Sequence, residues 1–249
     1  MDLALENHVA IVTGAGRGLG RAASQALLGE GCRVVAAART EAQLAELAAP
    51  TPDAVAVAPC DMRDLEQVRG LVGIAEERFG RLDIVVNNAG IAPAHPYVEQ
   101  PTEVLSDVLA VNVVAPAELT RAAGEVLLAQ GHGKVINVAS TSGIRGKPML
   151  AAYSASKGAL LRLTEAVAAE WASEGVQVNA IAPGAFETDA QEAVLEDEEL
   201  HRRRVRRIPA KRMAQPNEFG PLVCYLASPL ADFVSGATFV IDGGEVGKL

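Results

Sequence analysis

The residues with most chemical promise are Tyr153 and Lys157, four apart in the run Tyr-Ser-Ala-Ser-Lys. On a helix that spacing puts both side chains on one face, about one turn apart. A free phenol has a pKa of about 10 and is a poor base at neutral pH. A neighbouring ammonium group, helped by any further cation, favours the phenolate, and a shift of about 3 units needs roughly 4 kcal/mol of differential stabilisation. A phenol tuned in this way can take a proton from an alcohol or give one to a carbonyl oxygen. The same pair also occurs on exposed helices that do no chemistry, so it needs support from elsewhere. Ser140 offers some, because it closes a β-branched run. The carboxyl end of a strand is where open α/β sheets place ligands, and a hydroxyl there can hold a substrate oxygen.

A second feature is the turn Thr13-Gly14-Ala15-Gly16-Arg17-Gly18-Leu19-Gly20, between an apolar run and a helical one. Glycine lets the backbone approach a pyrophosphate, and the exposed N–H groups at the positive end of a helix bind the anion. The spacing is neither G-x-G-x-x-G, since the sixth residue from Gly14 is Leu19, nor a P-loop, since no Gly-Lys-Ser/Thr follows. A tight turn without a ligand is the plainer alternative.

These groups need a scaffold, and the patterning supplies one. Strand-like runs at His8–Thr13, Cys32–Ala38, Ala54–Ala58, Leu82–Asn87, Lys134–Ala139, Val176–Ala182 and Thr238–Asp242 alternate with helical stretches. The helices are expected at Leu19–Glu30, Glu41–Ala49, Leu65–Phe79, Thr102–Gln130, Tyr153–Ser173 and Asn217–Ala227. Such alternation predicts right-handed βαβ crossovers, hence an α/β fold with a doubly wound, seven-stranded parallel sheet and helices on both faces. No linker or repeat divides the 249 residues, so one domain is expected over 1–249. The segment 185–212 breaks the rhythm: it is charged, and Glu198–Arg202 and Glu199–Arg203 are spaced as i,i+4 ion pairs on a surface helix. An insertion there can cover a ligand, or it can be a solvated helix without that role.

Composition narrows the function. A formal charge of −9 disfavours non-specific binding to nucleic acid or anionic membranes. Cys32, Cys60 and Cys224 are isolated, and His8, His95, His132 and His201 have no ligand spacing, so neither a disulfide framework nor a metal site is expected. No G-x-S-x-G elbow supports a serine hydrolase. The N-terminus lacks the pattern of a secretory signal and no apolar run approaches a membrane span, which leaves the cytoplasm as the expected location.

Taken in order, the motifs resemble the short-chain dehydrogenase/reductase family over nearly the whole chain. They are Gly14, Gly18 and Gly20 after Thr13; Asn87-Asn88-Ala89-Gly90; Asn112; Ser140; Tyr153-x-x-x-Lys157; Pro183-Gly184 with Thr188; and Asp242-Gly243-Gly244. The resemblance implies an NAD(P)-binding Rossmann domain and hydride transfer between a nicotinamide and a small carbonyl or alcohol substrate. It implies a catalytic set of Asn112, Ser140, Tyr153 and Lys157, in which Asn112 holds a water leading from Lys157 to solvent and Lys157 also binds the nicotinamide ribose. Cofactor contacts are implied for Gly14, Arg17, Gly18, Leu19, Gly20, Asp61, Met62, Asn88, Ala89, Gly90, Pro183, Gly184 and Thr188, and a homotetramer is the usual assembly.

In this fold an acidic residue ending the second strand binds the adenine ribose of NAD. Here that position is Ala38, followed by Arg39, whose guanidinium suits a 2′-phosphate. NADP is therefore expected over NAD, with Arg17 as a second cation and a solvated Arg39 as the alternative. The substrate pocket is expected from 140–144, 93–97 and 185–212; His95 and Arg145 either bind a polar substrate or sit at its rim. The sequence looks like the bacterial branch with gluconate 5-dehydrogenase-like enzymes and 3-oxoacyl-carrier-protein reductases. A polyol or sugar-acid dehydrogenase, a 3-oxoacyl thioester reductase that would dock its carrier through 202–207, and a non-catalytic cofactor-binding regulator are the readings to separate.

Overall fold

Runs of Val, Ile and Ala that are apolar on both sides of a strand can be satisfied only by a sheet covered on both faces. The computed structural model describes residues 2–247. Within them the strands β1 (Val9–Thr13), β2 (Arg33–Ala38), β3 (Val55–Pro59), β4 (Ile84–Asn87), β5 (Gly133–Val138), β6 (Val176–Pro183) and β7 (Thr238–Ile241) form one parallel sheet in the order β3-β2-β1-β4-β5-β6-β7. Side chains alternate across it. Val9 and Ile11 enter one core and Ala10 and Val12 the other.

The covering helices are α1 (Gly18–Gly29), α2 (Glu41–Ala48), α3 (Leu65–Phe79), α4 (Thr102–Leu109) and α5 (Ala115–Gln130) in the first half of the chain. The second half has α6 (Thr141–Ile144), α7 (Ala151–Trp171), α8 (Glu192–Glu196), α9 (Glu198–Arg207) and α10 (Gly220–Ala227). Strand and helix limits fall close to those the patterning predicts, with two exceptions. The short α6 was not expected. The stretch 102–130 is not one regular helix, because a π-helical turn at Ala110–Val114 separates α4 from α5. Pro116 stands four residues after Asn112 and has no N–H to give the Asn112 carbonyl, so the regular ladder fails there. Among the described residues no helix is long and apolar enough to cross a membrane.

The chain leaves β1 toward β2 and β3, and leaves β4 toward the other edge, so a crevice opens where their carboxyl ends part. Thr13 ties its two lips together. Its hydroxyl oxygen accepts from the Asn88 and Ala89 N–H groups, both at 3.0 Å, and the Asn88 side-chain amide donates to the Thr13 carbonyl at 2.8 Å. Farther along, α6 presses on α7 through a glycine. A Cβ at Gly143 would lie 2.6 Å from the Lys157 carbonyl carbon and 2.8 Å from its oxygen. Backbone cannot yield there as a flexible side chain would. We expect Gly143→Ala to lower stability by about 1–3 kcal/mol, the usual cost of overpacking, read as a shift in the urea midpoint. A wild-type midpoint would show that the two helices pack loosely.

Candidate active site

The crevice is a cleft of ≈ 1060 Å³ running from the ends of β2 and β3, across the glycine turn, to the ends of β5 and β6. At its centre, Gly14 (φ 67°) and Gly18 (φ 53°) adopt left-handed conformations that other residues avoid. The α1 N-terminus has no side-chain cap and no acidic residue in its first turn. Its N–H groups are thus available to an anion, with no carboxylate competing. Gly14, Arg17, Gly18 and Leu19 line the cleft, whereas Gly20 lies beneath it. A Cβ at Gly20 would fall 2.1 Å from the Gly14 carbonyl oxygen, so this glycine lets α1 pass under the turn. The cradle fits a dinucleotide diphosphate.

Around the turn, Arg39, Asp61 and Met62 line one end, with Asn88, Ala89 and Gly90 along the floor. Pro183, Gly184 and Thr188 line the far wall, and Ser140, Tyr153 and Lys157 close the other end. Of the expected catalytic and cofactor residues Gly20 and Asn112 stand back from the lining, and of the expected substrate walls 93–97 and 140–144 Pro93 and Ser140 reach it whereas 94–97 and 141–144 do not.

Lys157 is 3% exposed, and its Nζ donates to the Val138 carbonyl at 2.7 Å. Burial pulls its ammonium down to about 8. Nζ lies 5.8 Å from the centre of the Tyr153 ring, the helical neighbour relation expected of this spacing. The phenol itself is not acidified: burial raises its pKa, and the facing Ser140 hydroxyl offsets this only in part. Burial thus dominates the phenol, and the expected shift toward phenolate calls for the further cation, the positive nicotinamide, as well as Lys157. The Ser140 oxygen caps α6 by accepting from the Ser142 N–H at 3.0 Å, which leaves its proton free to donate. Asn112 uses its side chain entirely for structure. Its Oδ1 accepts from the Ile91 N–H at 2.9 Å, and its Nδ2 donates to the Ile91 carbonyl at 2.9 Å and to Ser156 Oγ at 3.0 Å.

A family model described as enoyl-(acyl carrier protein) reductase matches residues 14–245. A 2-dehydro-3-deoxy-D-gluconate 5-dehydrogenase of Bacillus subtilis is 36% identical over 246 residues, covering 98% of this chain and 96% of that protein. A 3-oxoacyl-[acyl-carrier-protein] reductase of Synechocystis is 36% identical over 249 residues, covering 98% of each. The crystal structure of a gluconate 5-dehydrogenase from Burkholderia cenocepacia, in complex with NADP and tartrate, superposes with a TM-score of 0.94 at 34% identity, covering 100% of this chain and 98% of that one. This chain belongs to the short-chain dehydrogenase/reductase family. It is an oxidoreductase acting on alcohol and ketone groups.

From the charged segment 185–212, read in the sequence as a candidate cover, Phe186, Asp189, Ala190 and Gln191 line the cleft beside the expected Thr188. The base of that segment is pinned by the Glu187 N–H to the Ala214 carbonyl at 2.9 Å and the Ala214 N–H to the Ala185 carbonyl at 3.0 Å. Ala185, Ile208 and Met213 form a small core of their own, with Val194 and Val205 packed on it. Arg204 on α9 forks onto Glu245, with Nη2 donating to Oε2 at 2.8 Å, and Lys147 approaches the same carboxylate at 4.0 Å. Of the two expected ion pairs on α9, Glu198–Arg202 forms at 3.5 Å. Arg203 does not pair with Glu199, which Arg202 reaches instead at 3.7 Å. His95 and Arg145 are not among the residues lining the cleft. Arg63 and Asp107 do line it, although they lie 44 residues apart, and no local pattern announces their pairing.

A lysine whose folded pKa is depressed opposes folding below that pKa, because protonation then favours the unfolded chain. As the pH rises from about 8 toward the ordinary lysine value the opposition disappears. Relative to Lys157→Met, the wild type should therefore gain up to about 3 kcal/mol of stability between pH 8 and 10.5, measured by urea unfolding. A pH-independent difference between the two would show that the ammonium group is solvated.

Proposed function

We propose that this enzyme interconverts a secondary alcohol and a ketone on a polyol or keto sugar, with NADP(H) preferred over NAD(H). The observation that carries this reading is the convergence of Ser140, Tyr153 and Lys157 on the cleft that also holds the glycine cradle. When bound, the nicotinamide supplies or accepts the hydride. The chain's own residues handle the proton. Ser140 donates to the substrate oxygen and holds it beside Tyr153, whose phenol gives its proton to a carbonyl oxygen or takes one from an alcohol. Lys157 orders the cofactor ribose and keeps positive charge behind the phenol. Asn112 contributes its carbonyl, which Pro116 leaves without the usual helical donor, as acceptor for a water beside Lys157.

The regulator reading fares worse, because folding has no need of Ser140, Tyr153 and Lys157 together at one cleft. The 2′-phosphate preference rests on Arg39 and Arg17, both in the cleft lining, and on the absence of a carboxylate at Ala38. A neutral polyol is favoured over a sugar acid. Beside the catalytic set, Asp189 and Gln191 supply polar groups from the segment 185–212, and Arg17, Arg39 and Arg63 sit with the cofactor contacts. The thioester alternative would need a basic face; Arg204 is bound to Glu245 and Arg202 to Glu198 and Glu199, so it would fall to Arg203, Arg206 and Arg207.

In this reading the chain is one domain, its segment 185–212 covers the substrate, and the enzyme works in the cytoplasm with three buried, unpaired cysteines. It works as a homotetramer, for which the exposed Phe233 and Val240, beside β7, offer apolar surface.

The test is an absorbance assay of polyols, sugar acids, simple ketones and an acetoacetyl thioester with both nicotinamides. Turnover of polyols or ketoses is expected to exceed that of the thioester, with kcat/KM higher for NADP than for NAD; a better thioester, or parity with NAD, overturns the respective half of the reading. Tyr153→Phe should lower kcat by about 10²–10⁴-fold with NADPH binding unchanged. Because burial raises the phenol's pKa, alcohol oxidation should speed up with pH well beyond neutrality, whereas carbonyl reduction, which uses the protonated phenol, should not. An oxidation rate that falls as the pH rises would place the proton acceptor elsewhere.

A further inference from the structure

Arg63 follows β3 and reaches across the cofactor end of the cleft to α4. Its Nε donates to Asp107 Oδ1 at 2.6 Å and its Nη2 to Oδ2 at 2.8 Å, a fork on both oxygens. The same residue serves Asp61: its N–H donates to Asp61 Oδ1 at 3.0 Å, and Nη1 lies 3.5 Å from that oxygen. One guanidinium therefore stands between two carboxylates, and all three residues line the cleft together with Arg39. The Asp107 carboxyl is held below its ordinary range, first by the Arg63 hydrogen bonds and more weakly by the charge of Arg39, so Arg39 too lies within its field.

We propose that Arg63 determines cofactor specificity without binding the 2′-phosphate, by neutralising Asp61 and Asp107 so that Arg39 can accept a dianion beside them. The inference rests on the NADP preference argued above. With Arg63 present, the cleft lining at this end carries Arg17, Arg39 and Arg63 against Asp61 and Asp107. Without it, two carboxylates confront two arginines, and a phosphate carrying nearly two negative charges meets no excess of positive charge. NAD(H), with a ribose hydroxyl in place of that phosphate, is far less sensitive to the change. Removing the Asp107 charge instead leaves the three arginines against Asp61 alone. The pair is partly exposed, so the effect must weaken as salt screens it.

The experiment is direct binding of NADPH and NADH, followed by nicotinamide fluorescence without substrate, to the wild type, Arg63→Gln, Asp107→Asn and the double variant at low and high salt. Arg63→Gln should raise the Kd for NADPH by about tenfold at low salt while moving that for NADH by less than about twofold. Asp107→Asn should bind NADPH at least as tightly as the wild type, the double variant should recover most of the loss, and high salt should shrink it. Equal weakening toward both nucleotides, no weakening, or no recovery in the double variant overturns the inference. A wild type that binds NADH as tightly as NADPH overturns the NADP reading itself, a result distinguishable because it needs no variant.

Discussion

The structure turns on one buried ammonium group. Lys157 keeps its charge at neutral pH in a place where water scarcely reaches it, with the Val138 carbonyl as its protein hydrogen-bond partner. A depression from 10.5 to about 8 corresponds to roughly 3 kcal/mol of lost preference for the charged form. The surroundings must supply that from packing, and they do so with glycine. A Cβ at Gly90 would lie 3.5 Å from Nζ, and one at Gly143 would strike the Lys157 backbone. Asn112 locks Ile91, next to Gly90, through two hydrogen bonds, so the floor under the ammonium group cannot sag. A free cation held without a carboxylate is poised for a ligand that brings hydroxyls and negative charge.

This arrangement separates two tasks that the Tyr-Lys spacing suggests are one. Proximity of an ammonium group does not by itself make Tyr153 a base, because burial raises the phenol. Burial therefore favours the protonated phenol, which in the reading proposed above is the form that donates to a carbonyl. Proton acceptance has to await additional positive charge or a higher pH. Direction of reaction and state of the site are coupled through desolvation, which no spacing in the sequence displays.

How much was legible follows from the range of each interaction. The sheet could be read because every strand is apolar in its own right and every helix periodic in its own right. The glycine turn and the Ser140, Tyr153 and Lys157 set could be read because strand ends and one helical turn place them locally. Gly20 could not be assigned from its spacing: it sits in the motif, yet the structure uses it to clear the Gly14 carbonyl. The break in 102–130 is marked by Pro116, midway along that stretch and at the start of α5, a signal that the continuous helical periodicity overrides. Arg63–Asp107 and Arg204–Glu245 were beyond reach, because each pairs charged residues more than 40 positions apart on patterns that read as solvated faces.

The two ends of the cleft consequently differ in how firmly they are built. The cofactor end is made largely of backbone at strand ends, and Thr13 fastens the end of β1 to the residues after β4 there with partly buried hydrogen bonds. The substrate end depends on the segment 185–212, whose apolar cluster is separate from both main cores and whose helix α9 buries no residue fully. Such a unit can exchange side chains at Ala190 or Gln191 with little effect on the sheet, whereas Phe186 belongs to a main core and packs edge-on against the buried Phe219. In the reading proposed above, such a fold keeps the proton-handling groups at strand ends and leaves substrate choice to the segment 185–212. That division explains why the chemistry can be argued from strand ends alone, while the identity of the alcohol depends on side chains that the sheet does not constrain.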